Sequence, residues 1–220
     1  MTPAAHSQVQ SQQSDPDVTT RIGGWLFRHR SSIPVPLAIA VLVLRIGKAP
    51  PSIALIVSGV ALTVLGELLR LWAVHHIGVI SRTRSDRLGP LVAAGPFAFV
   101  RNPLYLGNIA LWAGFALTAR LLWLAPVIVF LLGLEYHAIV RWEERLLEAR
   151  LGDGYREYTA RVPRWIPTLT TRARTDPGDD IPSASSAVDA FSWSATLFSE
   201  RGTLLAIAAG YALLWIKARF

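Results

Sequence analysis

The sequence contains no cysteine and a single methionine. Disulfides, thiolate nucleophiles and Cys-ligated zinc are therefore excluded as working parts of this chain. Charge is also scarce. Asp, Glu, Lys and Arg make up 17% of the 220 residues, against about 25% in soluble domains. The first twenty residues are polar and lack an apolar core, so no cleavable signal peptide is expected. What is abundant is apolar: 52% of residues, arranged in blocks, with a mean hydropathy of +0.37. That distribution reads as an all-α integral membrane protein.

The net charge is +7. The cations flank apolar blocks, so anionic headgroups and membrane orientation explain them better than nucleic acid does. Residues 1–24 read as a disordered tail, with the Trp25–Phe27 region at the headgroups. Apolar blocks follow at Ile33–Gly47, Ser52–Val74, Pro103–Ala119 and Leu121–Val140, the last two forming a hairpin broken by Arg120. Residues 25–167 read as one membrane domain and 168–200 as a linker. Residues 201–220 read as an apolar helix and fifth span. Of the 22 Lys and Arg residues, only Arg45, Lys48, Arg120, Lys217 and Arg219 fall on one side of this arrangement. The other side holds the N-terminus, the 75–102 loop and the 141–201 segment, and its cation excess marks it as cytoplasmic. A bacterial inner membrane suits such a chain.

Two polar blocks share that side. The first is Gly95-Pro-Phe-Ala-Phe-Val-Arg-Asn-Pro-Leu-Tyr-Leu-Gly107. Asn102-Pro103 reads as an N-cap and first-turn proline, which would start a helix without any other role. That explanation does not cover Arg101, Tyr105 or Asn108. Gly107 and Gly114 suit close helix packing. The second block is Arg141-Trp-Glu-Glu-Arg145, followed by Gly152, Tyr155, Tyr158 and Val-Pro-Arg-Trp-Ile-Pro167. Glu143 and Glu144 read either as a solvated helix face or as acceptors for a cationic or hydroxyl-bearing ligand. Glu135, within an apolar run, is a further functional candidate. Glu67 and Arg70 read as a self-satisfying i, i+3 pair. His75 and His76 are adjacent on a helix and face different ways, and His137 has no partner at ligand spacing, so no metal site is expected.

In order, spacing and hydropathy, residues 67–167 resemble the isoprenylcysteine carboxyl methyltransferase and phospholipid methyltransferase superfamily. The resemblance implies a small helical membrane enzyme using S-adenosyl-L-methionine in a cytoplasm-facing pocket. It implies that Asn102, Pro103, Tyr105, Gly107, Glu143, Glu144, Tyr155 and Tyr158 form the cofactor pocket, with Arg101, Glu144 and Arg164 as the catalytic group. The family usually has His where this chain has Asn102, and Asn cannot shuttle protons near neutral pH. Methyl transfer from a sulfonium needs positioning and exclusion of water rather than a metal or covalent nucleophile. The expected partners are membrane lipids and a hydrophobic acceptor bearing a carboxyl, amine or thiol. An NADPH-dependent membrane reductase and a non-enzymatic scaffold or transporter subunit are the competing readings. The sequence does not fix the oligomeric state.

Overall fold

The computed structural model describes residues 18–78, 91–168 and 192–219. Among them are seven α-helices, one 3₁₀ turn and no strand. The helices are α1 (Val18–His29), α2 (Pro34–Val43), α3 (Ile53–Ile77), α4 (Pro103–Thr118), α5 (Leu124–Leu151), α6 (Asp153–Arg161) and α7 (Trp193–Arg219). The 3₁₀ turn is Gly95–Ala98. The tail to residue 17, the loop cations Arg82, Arg84 and Arg87, and linker residues 169–191 lie outside the described residues.

Each long helix follows from its sequence. Ser52 caps α3 by accepting the Leu55 amide at 3.4 Å, and the apolar run then continues to Gly78, whose φ of 67° ends the helix. Gly152, at φ 56°, closes α5 in the same way. Helices α3, α5 and α7 are long and apolar enough to cross a membrane. Helices α1 and α2 are bent by 64° and are together apolar enough for a broken span or a re-entrant loop; Pro34 and Pro36 favour the restart at α2. With 16 residues, α4 is shorter. It lies antiparallel on α3, with Gly107 against Gly66 and Gly114 against Gly59 and Thr63. The chain is an all-α membrane protein.

Two boundaries differ from the hydropathy reading. Residues 18–24, read as tail, form the start of α1. That helix packs on α5: Gly23 meets the Ala138 backbone, and the Phe27 ring lies 4.8 Å from that of Trp142. Helix α7 begins at Trp193, inside the expected linker. Its first turns carry Ser, Thr, Glu and Arg, which depress local hydropathy even though the backbone is already helical.

The helices share one apolar core, including Leu111, Phe115, Leu121, Ile128, Leu132, Ile139 and Leu214. At one end, Trp123 Nε1 donates to the Ile46 carbonyl at 3.0 Å and the Ala49 amide donates to the Arg120 carbonyl at 2.8 Å. Lys217 Nζ donates there to the Val41 and Leu44 carbonyls at 2.7 and 2.6 Å. The opposite end gathers both polar blocks.

Gly95 sets the start of the first block. Its φ is +59°, and a Cβ there would run into the His76 ring at the end of α3. Gly95→Ala is expected to destabilise the protein by about 1–2 kcal/mol, since a left-handed conformation and an overlap are forced together. The unfolding midpoint in detergent, compared with wild type, measures it.

Candidate active site

After the 3₁₀ turn the chain enters α4 at Asn102 and Pro103. Arg101 is the last residue before that helix, and Tyr105 lies in its first turn. On α5, the neighbours Glu143 and Glu144 point about 100° apart, as consecutive helical residues do. They take different partners. Tyr105 Oη donates to Glu143 Oε1 at 3.0 Å, and the Tyr105 ring stacks on Tyr136 at 4.6 Å between centroids. Glu144 receives two guanidiniums. Arg101 Nη1 donates to Oε1 at 2.7 Å, while Arg164 donates through Nε at 3.0 Å and Nη2 at 2.6 Å. The Arg164 contact is a bidentate fork, the geometry in which Arg holds a carboxylate best.

Arg164 is brought in by the segment that follows α6. This segment straps back over the first block. The Arg101 amide donates to the Pro163 carbonyl at 2.9 Å, and the Thr168 amide donates to the Phe99 carbonyl at 3.1 Å. Asn102 Nδ2 donates to the Arg164 carbonyl at 3.1 Å. Helix α6 sits beneath the strap through buried Tyr155 and Tyr158, and Tyr158 Oη donates to the Phe97 carbonyl at 2.9 Å.

The Glu144 clasp is largely dry: its side chain is 15% exposed and that of Arg101 14%. Two guanidiniums on one carboxylate leave a local excess of positive charge. Arg101 Nε is buried and has no hydrogen-bond partner among the described residues. Burial pushes the Tyr155 hydroxyl up to about 12, with the Glu144 charge adding to the effect and Arg101, its hydrogen-bond partner, opposing it. Tyr155 is therefore a neutral hydroxyl at any physiological pH. The hydrogen bond to Glu144 raises Arg164 above its ordinary value, so it stays charged.

Six of the residues singled out in the sequence thus converge: Arg101, Tyr105, Glu143, Glu144, Tyr155 and Arg164. Four have other duties. Asn102 occupies the N-cap position but makes no capping bond; its amide holds the strap instead. Pro103 is buried in the first turn of α4. Gly107 faces Gly66 and Arg70 on α3 rather than the clasp, and Tyr158 is committed to the Phe97 carbonyl. Glu135 is buried on α5 with Oε1 unpartnered among the described residues. Sequence reasoning missed Tyr136, which supports Tyr105, and the spatial partners of Arg70. Only the unexplained Asn108 beside Gly107 hinted at the latter. Among the described residues, no group of three or more His, Cys, Asp or Glu side chains could hold a metal ion.

Residues 54–154, which carry most of this geometry, match the family model for phospholipid methyltransferase. Through that stretch the chain is similar to the phospholipid methyltransferase family. Arg164, the strap and α7 lie beyond the matched region. Relatives of the chain have diverse names. The nickel-cobalt-cadmium resistance protein NccN of Alcaligenes xylosoxydans xylosoxydans is 26% identical over 155 residues, 68% of this chain and 70% of that protein. The cobalt-zinc-cadmium resistance protein CzcN of Cupriavidus metallidurans is 30% identical over 112 residues, 51% of this chain and 47% of that protein. Methanethiol S-methyltransferase 2 of Bradyrhizobium diazoefficiens is 41% identical over 83 residues, 36% of this chain and 30% of that protein. No solved structure matches.

Proposed function

We propose that the protein transfers a methyl group from S-adenosyl-L-methionine to a lipid-like or small hydrophobic acceptor at the cytoplasmic face of a membrane. The observation that carries this reading is the Arg101–Glu144–Arg164 clasp, which joins the two polar blocks and the strap around one buried carboxylate. The chain's residues fit the cofactor. Arg101 Nε is a buried donor without a partner among the described residues, as a group kept for an anion would be.

When bound, S-adenosylmethionine supplies a methyl group on a cationic sulfonium. Arg101 and Arg164 take its carboxylate. Glu143 and Glu144 accept from its ammonium or ribose hydroxyls. Tyr105 and Tyr155 offer aromatic faces to the adenine or sulfonium. The strap excludes water and fixes the line of attack. Asn102, with its amide committed to the strap, positions rather than moves a proton. The cation excess on the site side supports a cytoplasmic face. A relative named for methanethiol S-methylation makes a small thiol the first acceptor to test, ahead of amines and carboxylates.

Titration calorimetry in detergent should show S-adenosylmethionine binding, and a labelled methyl group should pass to the acceptor. Binding of NADPH without S-adenosylmethionine would overturn this reading in favour of a reductase. Absence of any cofactor binding would favour a scaffold. Arg164→Lys keeps the charge and loses the fork, and is expected to weaken S-adenosylmethionine binding about tenfold, read in the same titration.

A further inference from the structure

Helix α7 lies outside the matched family region, yet it is fastened to α3 along its length. The Trp193 ring stacks on His75 at 4.2 Å, and Tyr211 Oη donates to Thr63 Oγ1 at 2.8 Å. Between these contacts is a buried polar cluster. Arg70 Nη2 donates to Glu200 Oε2 at 2.6 Å and to Thr203 Oγ1 at 3.3 Å. Its Nε donates to Glu67 at 3.3 Å, and its Nη1 donates to Asn108 Oδ1 at 2.5 Å. The Arg70 side chain is 12% exposed and that of Glu200 only 3%. A charge network of this depth is expensive to bury merely as a fastener.

The cluster does not end at Arg70. Asn108 spends its carbonyl on Arg70, and it lies on α4 one turn beyond Tyr105. Tyr136 stacks on Tyr105, and Tyr105 donates to Glu143. The Glu200 carboxylate orients the Arg70 fork, and the fork holds Asn108 and with it the turn of α4 that carries Tyr105.

We infer that Glu200 is a positioning residue for the Tyr105–Glu143 face of the pocket, acting from α7 through Arg70 and Asn108, which lies one turn from Tyr105 on α4. This rests on the cofactor reading above. Glu200 acts through its ion pair with Arg70, which lies on α3 and outside the clasp.

A double-mutant cycle tests it. Affinity for S-adenosylmethionine is titrated in the full-length protein, alongside unfolding midpoints, for wild type, Glu200→Gln, Asn108→Ala and the double variant. Glu200→Gln keeps the shape and one acceptor oxygen, and so preserves the fold. It is expected to weaken binding about tenfold, and the double variant to be hardly weaker than Asn108→Ala, because both interrupt one network. Glu200→Asp, which restores the charge, should recover part of the loss. Exposed Glu157→Gln should leave affinity unchanged. Unaltered affinity in Glu200→Gln, or losses that simply multiply in the double variant, would sink the inference. Failure of wild type to bind S-adenosylmethionine would instead sink the cofactor reading, and the two results are distinct.

Discussion

Glu144→Ala is expected to lower affinity for S-adenosylmethionine by about 100-fold. The carboxylate accepts from three guanidinium donors of two arginines, at 2.6 to 3.0 Å. Removing one partner of a desolvated charge pair costs about 2–5 kcal/mol, much of it from the charges left behind. Here two cations would remain side by side, and Arg101 is too enclosed to reach water freely. The strap would also lose its bidentate anchor, keeping only backbone bonds and Asn102. Two measurements check this: titration with S-adenosylmethionine, and the rate of tryptic cleavage at Arg164, which should rise in the variant. Glu144→Gln retains an acceptor oxygen and should fall between the two. Wild-type affinity in a folded Glu144→Ala protein would remove the clasp from the site.

The second large effect is expected where two helix backbones meet. Gly66→Val should destabilise the protein by about 3 kcal/mol. A Cβ on Gly66 would stand 2.6 Å from the Gly107 carbonyl oxygen and 2.9 Å from the Leu111 amide nitrogen. Both are backbone atoms of α4, so no side chain can move aside. The helices must separate, and separation would lengthen the contact between Arg70 on α3 and Asn108 on α4. The unfolding midpoint in detergent should drop, and cofactor affinity should drop with it. Gly133→Ala is the control. Its Cβ would meet nothing within 4 Å, and in a helix interior alanine is favoured over glycine by about 1 kcal/mol. Its midpoint should stay level or rise.

Helices α3 and α5 were legible in the sequence because each is apolar over a length that can cross a bilayer, despite Glu67 and Arg70 in one and Glu135 in the other. The start of α4 was legible from Asn102-Pro103, although the side chain of Asn102 turned out to serve the strap. The six residues that converge on the clasp were visible as types in a pattern. Their pairing was not. Arg101 and Glu144 are 43 positions apart, and nothing local says which of two adjacent glutamates faces which arginine. The helical angle between Glu143 and Glu144 decides that, and only once α4 lies beside α5. Arg70 shows the other kind of blindness. Its i, i+3 partner Glu67 satisfied a local rule and concealed a stronger partner in a helix whose polar first turns looked like linker.

The Arg70–Glu200 contact joins residues 130 positions apart, and this has a consequence for biogenesis. A ribosome delivers α3 to the bilayer well before it has made α7, since synthesis proceeds at about 5–20 residues per second. During that interval Arg70 has Glu67 on its own helix but not Glu200, the carboxylate nearer to it. Insertion of the last helix therefore supplies the shorter ion pair of a group placed early, and makes the arrival of α7 a late assembly step.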